Sequence, residues 1–198
     1  MTETVQLTDP RPQLSVALDQ AERQFGAVGS EDLGRATPCD DYDVRTLLAH
    51  VVAVLRKLTA VGRGEEAGAV VDPATDVVDG WVEAFRVERA VFEQVWSDDA
   101  ALAKNCTVPW GTMSGRELLD AYTHEFTVHS WDLAFASGRP DDLDPVLAQA
   151  ALDWFIANEP GDTRGVGGPF GPIVEVEAAA DVYTRLAGYV GRPVRGQG

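Results

Sequence analysis

With 198 residues, 45% of them hydrophobic, the chain is long enough for one well-filled domain. Thirty-two acidic against 16 basic side chains leave a formal charge of −16, which excludes the basic patches of nucleic-acid binding and electrostatic attachment to anionic membranes. No apolar run reaches the ~18 residues of a bilayer-spanning helix, the opening MTETVQLTDPRPQ lacks a basic-then-apolar signal, and Cys39 and Cys106 make no disulfide framework, so a cytoplasmic protein with reduced thiols is expected.

Leu14, Ala17, Leu18, Ala21, Phe25 and Val28 recur at helical spacing and predict a first amphipathic helix over 13–28. Residues 29–41, rich in Gly, Asp and Pro, read as a loop. Asp43 suits the N-cap of a second helix whose stripe is Leu47, His50, Val51, Val54, Leu55 and Leu58, ended by Gly62 and Gly64. After a connecting loop over 63–74, Val78, Trp81, Phe85, Phe92 and Val95 predict a third helix over 75–96. Residues 105–115 (NCTVPWGTMSG) read as an irregular loop or short hairpin. Ser114 with Glu117 forms a capping box for a fourth helix, which presents Leu118, Ala121, Tyr122, Glu125, Val128, His129 and Asp132 and stops at Gly138 and Pro140. Asp144-Pro145 opens a fifth helix running to 158. Five glycines and three prolines in 159–172 exclude regular structure and suit a lid. A short strand over 173–176 and a last helix over 178–189 complete the reading. The expected architecture is all-α: one domain over 1–198, a four-helix bundle core over 13–138 and a small helical and loop appendage over 144–198 as a peripheral cap.

Glu125 and His129 lie four apart, so on a helix both point the same way. His50 sits on the apolar stripe of the second helix. One carboxylate and two imidazoles on core faces are costly to bury unless something binds them, and bundle cores are where facing helices build metal sites. A divalent metal with an open position is the candidate occupant. Two plainer readings stand beside it: His50 as a hydrogen-bonded core histidine, and Glu125–His129 as an i,i+4 pair on a solvated face. His124 is five residues from His129, a rotation of about 140°, so both cannot aim at one ion; it reads as a rim or interface residue. Asp132 either orients a ligating imidazole or bonds backbone near the helix end. Cys39 and Cys106 read as buried small hydrophobes. Trp110, Trp131, Tyr122 and Tyr42 read as core or pocket wall. Arg86 and Arg89 read as solvated arginines, with an anionic substrate as the other possibility.

The stretch ATPCDDYDVRTLLAH, ending at His50, resembles the TPC-x-x-W-x-V-x-x-L-x-x-H opening of DinB/YfiT-like metalloenzymes, with Tyr42 where Trp is usual. EFTVHSWDLA, from Glu125 to Ala134, is similar to their E-x-x-V-H-x-W-D-L-A helix. Phe170-Gly-Pro, Arg185-Leu-Ala and Gly191-Arg-Pro fit the same group. The branch is the actinobacterial one related to the metal-binding domain of mycothiol-dependent maleylpyruvate isomerase. The resemblance implies a DinB-like four-helix bundle with a divalent metal, usually zinc with nickel or iron as alternatives, held by His50, Glu125 and His129. It further implies a transferase or isomerase dependent on a low-molecular-weight thiol, mycothiol, acting on an electrophilic substrate. No residue stands out as a general base, and the sequence is compatible with a homodimer. Metal-dependent hydrolysis and a non-catalytic metal-binding or sensory role are the alternatives.

Overall fold

The structure, a computed structural model, describes residues 8–40, 42–139, 142–159 and 170–194. Four helices make the bundle: α1 (Arg11–Ala27), α2 (Val44–Arg63), α3 (Trp81–Val95) and, after a short α4 (Asp99–Ala103) and a hairpin, α5 (Gly115–Ala136). The hairpin pairs β1 (Asn105–Val108) with β2 (Gly111–Ser114), Asn105 opposite Ser114 and Val108 opposite Gly111. Two more helices, α6 (Pro145–Asn158) and α7 (Val182–Tyr189), pack on the outer face of α5. The molecule is therefore all-α with one small hairpin, as the sequence predicts. No helix among the described residues is long and apolar enough to cross a membrane.

Local chemistry explains most boundaries. The Asp43 carboxylate accepts the Thr46 N–H at 2.8 Å, an N-cap worth about 1 kcal/mol. Ser114 and Glu117 form the reciprocal capping box at the start of α5. Asp144 accepts from Val146 N–H at 2.8 Å, with Pro145 in the first turn of α6.

Two helix starts lie later than the periodicity suggests. The third helix begins at Trp81 rather than 75, because Gly80 sits at φ 61° and interrupts any helix there. Residues 72–80 instead fold back over α2: the Ala74 N–H donates to the Ala49 carbonyl at 3.1 Å, and Asp76 accepts from Arg56 at 2.7 Å. That detour carries Asp72 to the bundle interior. Likewise α7 begins at Val182, capped by Asp181, rather than at 178. The strand expected over 173–176 does not form. The segment has no ladder partner among the described residues and lies along α7, the Val174 N–H donating to the Gly188 carbonyl at 2.9 Å. A side chain on Gly188 would meet the Val174 carbonyl at 2.6 Å, so only glycine admits that approach. Of the lid expected over 159–172, residues 160–169 lie outside the described ones.

The core has two compartments that share α5. One, between α1, α2, α3 and α5, holds Leu14, Leu18, Phe25, Leu47, Leu55, Phe85, Phe92 and Leu118. The other holds Val128, Trp131 and Ala134 of α5 against Leu152 and Phe155 of α6 and Leu186 of α7. With both faces covered, α5 must bury polar residues. Thr123, Thr127 and Ser130 do so by donating to the carbonyls four residues back at 2.7–2.8 Å.

Candidate metal centre

α2 and α5 lie side by side in the bundle, and the facing point between them holds His50, Glu125 and His129. Each offers one ligand atom, and the three atoms all lie within 4.8 Å of one another. The His50 and His129 rings meet edge to face, centroids 5.2 Å apart at 81°. His50 Nε2 is 3.4 Å from Glu125 Oε1. All three residues predicted from sequence are thus brought together, which disposes of the solvated-face reading of Glu125 and His129.

Both imidazoles are fixed from behind by a carboxylate. His50 Nδ1 lies 2.8 and 3.0 Å from the two oxygens of Asp72. His129 Nδ1 lies 3.0 Å from Asp132 Oδ2. A carboxylate only accepts, so in each ring Nδ1 carries the hydrogen and Nε2 is left as the acceptor, which on His50 lies beside Glu125. Carboxylate–histidine pairs of this kind set the tautomer and orientation of metal-binding imidazoles. Each carboxylate is held in turn. Lys57, two turns after His50 on α2, donates to Asp72 at 2.6 Å. Arg192, beyond α7, donates to both oxygens of Asp132 at 3.2 and 3.3 Å. Asp132 is fully buried and Arg192 nearly so. Tyr42 stacks on His50 with centroids 4.9 Å apart.

Electrostatics follow from these contacts. Burial alone pulls the His50 imidazole down, but hydrogen bonds to Asp72 and Glu125 outweigh it and push its pKa up to about 9. Asp72 is raised by burial and lowered further by His50 and Lys57, and ends below the ordinary carboxylate value. In the metal-free site His50 therefore carries a proton between two carboxylates, and a cation entering there must displace it.

Asp132 takes the orienting role rather than a backbone bond. The sequence does not point to Asp72, Lys57 or Arg192 as parts of the site. The Gly191-Arg-Pro motif is the available signal for Arg192, whereas nothing periodic marks Asp72 in its loop. His124 is not a rim residue. It is 3% exposed, faces away from the centre, and packs against Trp154 (centroids 5.1 Å apart) and Phe155 of α6. Arg86 and Arg89 are engaged by acids of α1 and α3, with Glu22 taking Arg86 at 2.6 Å and Asp19 taking Arg89 at 2.7 Å. Cys39 and Cys106 are buried and not in a disulfide.

Beside the centre a cavity of about 250 Å³ opens between α5, α6 and the hairpin turn. Its lining includes Glu125, Trp110, Tyr122, Trp154, Phe155 and Phe170. Trp110 and Tyr122 also border a second cavity of about 370 Å³, which reaches Lys57 and Asp72.

The model of the mycothiol maleylpyruvate isomerase N-terminal domain matches residues 14–134, which span the bundle and all three candidate ligands. The chain belongs to that family. Two uncharacterised proteins of Mycobacterium tuberculosis, MT0763 of strain CDC 1551 / Oshkosh and Rv0738 of strain ATCC 25618 / H37Rv, are each 30% identical to it over 184 residues. The match covers 91% of this chain and 98% of theirs. Crystal structures of the mycothiol-dependent maleylpyruvate isomerase and of a histidine-to-alanine mutant superpose with a TM-score of 0.56 at 18% and 17% identity. They cover 76% of this chain and 70% of theirs. At that identity the likeness establishes the shared DinB-like fold.

Proposed function

We propose that this protein binds one divalent cation, zinc foremost, on His50, Glu125 and His129, and uses it to activate a low-molecular-weight thiol, mycothiol, for transfer to or isomerisation of a small electrophile. The observation that carries the reading is the pair of imidazoles tied through Nδ1 to carboxylates, with one ligand atom each from His50, Glu125 and His129 within 4.8 Å of one another. Two nitrogens and one oxygen suit a borderline ion such as zinc, and nickel or iron(II) share the preference. Three protein ligands leave a coordination position open, as catalytic sites do. Family membership supports thiol chemistry.

Bound there, a divalent cation supplies the positive charge that favours the thiolate form of a thiol at neutral pH. The chain's own residues do the rest. Asp72 and Asp132 orient the imidazoles, Lys57 and Arg192 hold those carboxylates, and the two cavities meeting at Trp110 and Tyr122 receive the bodies of thiol and electrophile. Burial and the Glu125 charge push the Tyr122 phenol above its ordinary value, so it stays neutral as a wall and hydrogen-bond donor.

Cobalt-substituted protein tests the thiol assignment directly. Adding mycothiol should produce an intense near-ultraviolet charge-transfer band, with onset below the ~8.5 of an unperturbed thiol. An oxygen analogue should leave the spectrum unchanged. If mycothiol and cysteine both fail at saturation, thiol chemistry falls and metal-water hydrolysis takes its place. A second expected result concerns the support of His129. Arg192→Met should weaken zinc binding roughly 10- to 100-fold, as losses behind a ligand commonly do, read by competition with a chromogenic chelator. Unchanged affinity would show that Arg192 only fastens the C-terminal segment.

A further inference from the structure

The cavity that reaches Lys57 and Asp72 continues outward. It shares Val61, Ala67, Gly68, Val108 and Pro109 with a further cavity of about 480 Å³, so the two form one groove between the end of α2 and the hairpin. The inner end lies against the metal centre: Tyr122 stands one turn before Glu125 on α5, and Asp72 is bonded to His50 at 2.8 Å. Lys57 lines this inner part. Its ammonium has three N–H groups and gives one to Asp72 at 2.6 Å, its partner among the described residues, which leaves two for an acceptor on a ligand. The five shared residues make the middle of the groove apolar. The outer end carries Glu65, Glu66 and Asn105, and carboxylates only accept, so that end suits hydrogen-bond donors such as hydroxyls.

We infer that this groove is the subsite of the thiol, and that it selects an elongated thiol with an amide near the sulfur and a hydroxylated body. The sulfur enters at Tyr122 and Asp72, the amide carbonyl accepts from Lys57, and the body lies out past Gly68 and Pro109 toward Asn105. The cavity beyond Trp110 and Tyr122 is thereby left to the electrophile. The inference rests on the proposed thiol activation for the sulfur, whereas the length and polarity of the body rest on the groove alone. At about 370 and 480 Å³, each part already falls within the usual range of ligand pockets. A thiol as short as cysteine leaves most of that space unfilled and reaches neither the apolar middle nor the polar outer end. Its affinity then comes from the metal–sulfur contact and Lys57 alone.

Two probes separate the body from the sulfur. N-acetylcysteine carries the sulfur and its neighbouring amide without the body, and S-methylmycothiol carries the body with the sulfur capped. Titrated into the cobalt-substituted full-length protein, mycothiol should reach half of its charge-transfer band at a concentration about tenfold or more below that of N-acetylcysteine. S-methylmycothiol should bind the protein as purified, read by calorimetry. Gly68→Trp sets a ring in the groove, and a Cβ at Gly68 would meet nothing within 4 Å, so the fold admits the substitution. The variant should weaken S-methylmycothiol binding by about tenfold or more and bring mycothiol close to N-acetylcysteine. Val70→Trp, on the wall of the inner cavity, serves if the first variant does not fold. Equal affinity of the two thiols, absent binding of S-methylmycothiol, or its undiminished binding in a folded variant overturns the inference. Calorimetric binding of the body with no cobalt band from any thiol would refute only thiol activation. A band that appears at equal concentrations of both thiols would refute only this subsite.

Discussion

Replacing His129 with alanine is expected to abolish stoichiometric zinc binding. The two ligands left, His50 and Glu125, already face each other at 3.4 Å and can satisfy one another through the proton that His50 holds. Asp132 and Arg192 would remain behind an empty position as a closed pair. The loss should exceed the roughly 10- to 100-fold cost of removing a supporting carboxylate, because two protein ligands do not fix a tetrahedral ion. His50→Ala should behave the same way. His124→Ala should keep its metal, since that ring lies under α6 on the far side of α5. Metal content of the purified variants by plasma emission spectrometry decides the matter: full occupancy in His129→Ala or His50→Ala would sink the ligand set.

The contrast between His129 and His124 shows which parts of this site a sequence exposes. A period of 3.6 fixes which residues share a face, so Glu125 with His129 on α5 and His50 on α2 are legible, and so is the exclusion of His124 from the centre. What lies opposite a given face is not legible. The face of α5 that carries His124 looks like a solvent face from its polarity, yet α6 and α7 cover it, and its hydroxyls are satisfied by backbone carbonyls one turn back. Asp72 is hidden for a related reason. It stands in a segment without periodicity, and only the late start of α3 at Trp81, set by Gly80, folds that segment back onto His50. Arg192 is 60 residues from its partner Asp132, a separation that no local pattern encodes. Helix faces and caps are written locally, whereas the carboxylates and cations that complete the site come from chain reversals.

Acid should destabilise the protein through His124, and His124→Leu should remove that sensitivity. Its imidazole is buried between α5 and α6, its Nδ1 has no hydrogen-bond partner among the described residues, and the Asp120 carboxylate is 3.9 Å from Nε2. Burial drives its pKa down from 6.5 to about 4. Between those values the unfolded chain binds a proton that the folded chain refuses, so folding stability is whole above 6.5 and is lost as the pH falls toward 4. From about pH 7 to about pH 4.5 the loss amounts to about 2 kcal/mol, since each tenfold difference in proton affinity between the two states is worth about 1.4 kcal/mol. Asp120 works the other way, since burial raises its pKa and favours the folded state in acid, but His124→Leu leaves that carboxyl in place. His50, raised to about 9, contributes stability in the metal-free chain that fades as the pH climbs from 6.5 through 9, and it too is common to parent and variant. The difference between the two urea-unfolding curves at each pH therefore reports His124 alone. The parent should lose about 2 kcal/mol more than His124→Leu on acidification, while the two bind zinc equally. Parallel losses would mean that protonated His124 finds a partner in the folded state, with Asp120 the one placed to provide it.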